Sequence, residues 1–124
     1  MSAPHPAVLD YPLAAPPAPG TTLVVAPSVH WLRMPLPFAL DHINLWLLEE
    51  DDGFTLIDCG YGDAPTRALW ETHFATTMRG RPLVRIIATH FHPDHLGNAL
   101  WLSERFGCPV TMTMTEFLTA HAVI

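Results

Sequence analysis

The stretch RIIATHFHPDHLGNAL, running from Arg85 to Leu100, decides how the chain is read. It places His90, His92, Asp94 and His95 within six positions, directly after a β-branched apolar run. The segment PLVRIIATH (82–90) has the Val and Ile content of a buried strand, and in a strand side chains two apart share a face. On that reading His90 and His92 project to the same side, where both imidazoles can reach one ion. Pro93 stops the ladder because it has no N–H to donate. Asp94 and His95 then open the next helix, where a carboxylate suits the positive helix end. Imidazole with carboxylate suits zinc, iron or manganese, and four such groups around one turn exceed what a single tetrahedral ion with an open position requires. Two adjacent metals fit better. With this chain's own His and Asp content, an H-x-H-x-D-H arrangement arises by accident on the order of once per thousand such sequences.

Outward from this motif, the periodicities predict a sheet with helices on one face. TLVVA (22–26) and SVHWLRM (28–34) read as short strands ended or confined to an edge by Pro27, Pro35 and Pro37. HINLWLLEE and GFTLI flank Asp51-Asp52-Gly53, a hairpin signal in which glycine supplies the positive φ of a tight turn. DAPTRALWETHFATTM (63–78) predicts a helix with Asp63 as N-cap, Pro65 in the first turn, and Leu69, Thr72, His73 and Thr76 at helical spacing. DHLGNALWLSERFG (94–107) predicts a helix with Leu96, Ala99, Leu100 and Phe106 along one side and Gly107 as its stop. CPVTMT reads as a strand, and TEFLTAHAVI as a helix capped by Thr115. Strands first, then strands alternating with helices, give an α/β (α+β) class: a mixed sheet covered by helices on one face.

Composition sets the outer bounds. The 124 residues make one domain at most. Residues 1–20, with six prolines, form an extended arm or leader, and the domain proper runs over 21–124. Charged residues are 15% of the chain, against roughly 25% in an ordinary soluble domain. A chain so short of polar surface packs against another subunit or belongs to a larger fold. A homo-oligomer or swapped dimer through an exposed sheet face is therefore expected. The net charge of −6, with six arginines and no lysine, disfavours nucleic acid as a partner. Cys59 and Cys108 are too few for a disulfide scaffold and suit a reducing compartment. No stretch is long enough to span a bilayer and the N-terminus has no basic n-region, so a cytoplasmic protein without a membrane partner is expected. His5, His30, His42, His73 and His121 take ordinary surface or core roles.

THFHPDHLGN resembles the signature motif of the metallo-β-lactamase superfamily, and GFTLIDCGYGD resembles the strand ending in aspartate that precedes it there. The resemblance runs from about Ser28 to the C-terminus. It implies an αββα sandwich, of which this chain carries the first half, with His90 and His92 on a first metal and Asp94 and His95 on a second. Two divalent ions are implied, zinc first, with iron or manganese as alternatives. Asp58 matches the aspartate beside the site and would orient the ligand loop; the alternative is a turn aspartate capping the backbone of Gly60 and Tyr61.

The resemblance also implies ligands further along the chain than this sequence supplies. Only 29 residues follow His95, with one histidine, His121, and no aspartate. The expectation is a hydrolase of a small ester, thioester or lactone, of the glyoxalase II-like branch, with Asp94 handling a proton. The 124-residue chain alone would be incomplete and inactive. An iron sulfur dioxygenase using His90 and His92 alone, an RNA-processing nuclease of the same fold, and a non-catalytic half-domain are the alternatives.

Overall fold

The computed structural model describes residues 7–123. His5, in the arm, lies outside them. Six strands form one sheet in sequence order: β1 Leu23–Ala26, β2 Val29–Pro35, β3 His42–Glu50, β4 Gly53–Ile57, β5 Leu83–Ile87 and β6 Val110–Thr111. β1 to β4 are antiparallel neighbours, and β4, β5 and β6 run parallel. The parallel pairs need crossovers, supplied by helix α1 (Ala64–Ala75) between β4 and β5, and by α2 (Pro93–Leu96) and α3 (Ala99–Phe106) between β5 and β6. Helix α4 (Met114–Ala122) follows. Residues 7–20 contain no helix or strand, as their prolines dictate, and Pro16–Pro19 lie beside Arg33, Pro35, Asp41 and His42.

The strand pattern sorts the sheet into two faces. Leu32, Met34, Ile43, Leu45, Leu47 and Leu56 point to one face and are buried with Trp70 and Phe74 of α1 and Leu102 of α3. The opposite face of β2 and β3 carries Trp31, Arg33, Asn44 and Trp46. There Trp31 stacks on its cross-strand partner Trp46, 6.2 Å between centroids, and donates from Nε1 to Asn44 Oδ1. These residues stay partly or fully exposed.

The Asp51-Asp52 hairpin forms as expected, with Glu50 paired to Gly53. Gly53 has a further reason to be glycine: a Cβ there would lie 2.3 Å from the Pro82 carbonyl oxygen, where the chain enters β5. Asp63 caps α1, accepting from Thr66 N at 3.0 Å. The buried face of α1 is Thr66, Trp70, His73 and Phe74; of the expected stripe through Leu69, Thr72, His73 and Thr76, His73 is buried and Leu69 is half-buried against the core. The aromatic pair wins the core because it buries more area than leucine and threonine do.

Other boundaries differ as well. The expected helix over 94–107 is two helices, broken where Gly97 passes the loop after β4. A Cβ on Gly97 would meet Pro93 O at 2.4 Å and Gly62 N at 2.7 Å. Within α3, Leu102 is buried and Leu100 is exposed. Gly107 does end α3, in the left-handed conformation (φ 63°). The cap of α4 is Thr113, whose side chain accepts from Glu116 N, rather than Thr115.

Candidate metal centre

Two neighbouring parallel strands stop side by side, and the candidate site grows from their carboxyl ends, the place where open α/β sheets bind ligands. β4 ends at Ile57 and β5 at Ile87. His90 and His92 therefore lie beyond the strand, not on it. The ladder ends because the backbone changes partner. Ala88 N still donates to Thr111 O, whereas Thr89 N donates at 2.8 Å to Asp58 Oδ1. The pairing of His90 with His92 survives through the turn rather than through strand alternation, with ring centroids 4.7 Å apart.

Asp58 organises this turn. It is 5% exposed, and it holds φ 63°, a left-handed conformation that aspartate tolerates better than most side chains. Its carboxylate accepts three bonds: Thr89 N on Oδ1, and Thr89 Oγ1 and His95 Nδ1 on Oδ2, each at 2.8 Å. The side chain of Asp58 bonds Thr89 and His95 of the histidine turn and makes no bond to Gly60 or Tyr61.

A second set of contacts fixes the distance between the two loops. Cys59 N donates to His95 O at 2.8 Å. Asn98, fully buried, donates from Nδ2 to Cys59 O (3.2 Å) and Tyr61 O (2.9 Å) and accepts from Arg67 Nε (3.2 Å). On the far side, Phe91 N donates to Glu116 Oε2 of α4. Thr89 and Asn98 carry no ligand chemistry, and sequence reasoning passed them over. The available signal was position: each flanks the histidine motif and has a hydrogen-bonding side chain.

The four motif side chains are gathered but not equivalent. His90 packs on His95 with 3.8 Å between centroids. Among the described residues, no three His, Cys, Asp or Glu side chains converge on one metal-sized point. The most telling geometry is at His95. A carboxylate only accepts, so the bond from His95 Nδ1 to Asp58 puts a proton on Nδ1, and in the neutral ring that leaves the Nε2 lone pair free. That nitrogen stands 3.5 Å from Asp94 Oδ2, another acceptor. Two acceptors at this separation are relieved by a proton or by a metal ion between them. Bonds of about 2.0–2.1 Å in a tetrahedral site give a donor–donor edge of roughly 3.3 Å. The Asp94–His95 separation is close to that of two donors on one ion, and His90 and His92 lie beside the pair without converging on the same point. Asp94 makes no capping bond within α2, and its side chain is 24% exposed.

The other histidines lie elsewhere. His30 faces Glu49 (3.5 Å), His42 pairs with Asp41, His121 bonds its own helix at Phe117 O, and His73 is buried in α1. Burial pushes the Cys59 and Cys108 thiols up, which keeps them protonated. No helix among the described residues is long and apolar enough to cross a membrane.

An α/β sheet with a histidine-rich turn at the carboxyl ends of adjacent parallel strands defines a fold class, and comparison with known proteins narrows it. The profile of the Metallo-beta-lactamase superfamily matches residues 39–119, and the chain belongs to that superfamily. It is similar to a beta-lactamase domain protein from Burkholderia ambifaria: 46% identity, TM-score 0.83, over 91% of this chain and 38% of that one. A metallo-beta-lactamase family protein from Thermus thermophilus shares 30% identity and a TM-score of 0.67, over 76% of this chain and 31% of that one. Among curated proteins, it is 34% identical over 67 residues to the probable metallo-hydrolase YqjP of Bacillus subtilis (strain 168), a match to 53% of this chain and 21% of that protein. The chain thus spans well under half the length of these relatives. The superfamily usually binds divalent metals.

Proposed function

We propose that the chain contributes the strand-end ligands of a metal-dependent hydrolase that cleaves a small ester, thioester or lactone. The observation that carries the reading is the Asp94–His95 geometry: an imidazole lone pair held by Asp58 against a carboxylate oxygen at 3.5 Å, an arrangement that a cation relieves. His90 and His92 bind a first ion, and Asp94 and His95 a second. Zinc suits the nitrogen and carboxylate donors best. Divalent ions bound there would activate water near neutral pH and polarise the bond under attack.

The protein's own groups do the rest. Asp58 holds His95 in one tautomer and direction, so that ring loses little freedom on binding. Asp94, partly open to solvent, accepts a proton from the attacking water and returns it to the leaving group. Support for a small acyl substrate comes from the loop between β2 and β3. There Phe38 and Leu40 are exposed, and Phe38 meets Tyr61 edge-on at 5.2 Å, three residues beyond Asp58. An apolar wall with no cluster of basic residues suits an acyl group better than a phosphate backbone.

The test is metal content and turnover of ester, thioester and lactone substrates in a protein carrying this chain, beside His90→Ala and His92→Ala. Both variants are expected to lose metal and activity together. Full metal content with normal turnover in either one would remove the assignment.

A further inference from the structure

We infer that Thr89 is a positioning residue whose hydroxyl links Asp58 to His90, holding the His90 proton on Nδ1 and leaving Nε2 free for a metal ion. This deepens the metal-site reading above and rests on it.

The inference follows from counting protons. Thr89 Oγ1 lies 2.8 Å from Asp58 Oδ2 and 2.8 Å from His90 Nδ1. A hydroxyl has one proton to give, and a carboxylate oxygen can only accept. The short Thr89–Asp58 contact therefore uses the hydroxyl proton, and Thr89 Oγ1 meets His90 with lone pairs. For the second contact to be a hydrogen bond, His90 Nδ1 must bring its own proton. In a neutral imidazole the other nitrogen is then unprotonated. Asp58 thus acts on two histidines of the motif, on His95 directly and on His90 through Thr89.

The geometry also separates this role from the structural role of Thr89. Its main-chain N–H bonds Asp58 Oδ1 at 2.8 Å whatever the side chain is. Thr89→Val keeps the β-branched shape and that main-chain bond and removes only the hydroxyl link; Thr89→Ser keeps the link. His95, which contacts Asp58 without Thr89, is the internal control.

The experiment uses the full chain with 15N-labelled histidine, free of metal and at mildly alkaline pH. The His90 and His95 tautomers are read by long-range proton–nitrogen correlation, and zinc affinity by competition with a chromogenic chelator. Wild type and Thr89→Ser are expected to show the proton on His90 Nδ1. Thr89→Val is expected to populate the other tautomer at His90, with His95 unchanged, and to bind zinc about 10–100-fold more weakly, the usual cost of losing a partner of a metal ligand.

A wild-type His90 protonated on Nε2 overturns the proposal, and that result needs no variant to fold. Wild-type tautomer and affinity in Thr89→Val overturn it as well. The two readings fail separately: the tautomer response to Thr89→Val tests the link, and metal content of His90→Ala and His92→Ala in a protein carrying this chain tests the metal reading.

Discussion

Acidification should unlock this fold through one buried histidine far from the motif. His73 is fully buried in α1, with Nδ1 3.2 Å from Thr77 Oγ1, Nε2 without a hydrogen-bond partner, and the Trp70 ring edge-on at 5.7 Å. Burial lowers its pKa from 6.5 to about 4, since charging the ring would strand a cation among apolar groups. The folded protein then binds fewer protons than the unfolded chain between those values. Stability from this group is complete above about pH 6.5 and is lost as pH falls towards about 4. The full drop corresponds to roughly 3 kcal/mol, and about 2 kcal/mol of it is gone by pH 5.

Urea melts at about pH 7 and about pH 5 read this directly. With a urea slope of about 1–3 kcal/mol per molar, the midpoint should fall by roughly 1 M. The carboxylates held low by ion pairs, Asp41, Glu49 and Glu71, lose their contributions only at lower pH, below their ordinary range near 4. Replacing His73 with Met, which fills similar space without titrating, should remove most of the pH 7 to 5 difference. An unchanged midpoint in the wild type, or the same fall in the variant, would refute the reasoning.

Asp94→Asn keeps the shape of the side chain while removing the charge that faces His95; turnover in a complete, metal-loaded protein should fall by about 100-fold or more, with the urea midpoint nearly unchanged. Equal kinetics would reduce Asp94 to a residue of the α2 turn. Gly53→Ala should destabilise by about 1–3 kcal/mol, because the added methyl meets the Pro82 carbonyl oxygen and that oxygen also accepts from Phe54 N; thermal melts measure it. Asn98→Ala leaves Tyr61 O without its side-chain donor and should cost about 1–3 kcal/mol together with a weakened zinc affinity, whereas loss of stability alone would separate Asn98 from the site.

What the sequence disclosed depended on how local the cause was. The Asp51-Asp52 turn, the Asp63 cap and the Gly107 stop are decided by a few neighbouring residues, and each forms as its local chemistry dictates. The motif side chains come together for a similar reason, since they span one short turn. Errors arose where a distant group intervened. β5 ends before Thr89 because a carboxylate 31 residues earlier captures its N–H, and nothing in PLVRIIATH announces that. The buried face of α1 is centred on Trp70 and Phe74, which the helical spacing of Leu69, Thr72, His73 and Thr76 does not pick out; of those four, His73 is buried and Leu69 lies at the core's edge. Asn98 was invisible as a functional residue because its partners are main-chain carbonyls at Cys59 and Tyr61, and carbonyls leave no trace in residue types.

The fastening of the Asp58–Gly62 loop onto the Pro93–Asn98 turn bears on how the motif responds to thermal fluctuation. Four bonds join them, between Asp58 and His95, Cys59 and His95, and Asn98 and both Cys59 and Tyr61, and Gly97 approaches Gly62 so closely that a Cβ there would lie 2.7 Å from Gly62 N. Neither segment can peel away alone without exposing the buried Asn98 amide and the Asp58 carboxylate together. Opening is therefore a single cooperative event rather than a series of small excursions. The amide hydrogens of Cys59 and Thr89 should exchange with deuterated solvent at a common slow rate, although they lie 30 residues apart in sequence. His95 is then held or released together with the Asp58 loop, its ring and its main chain in one equilibrium.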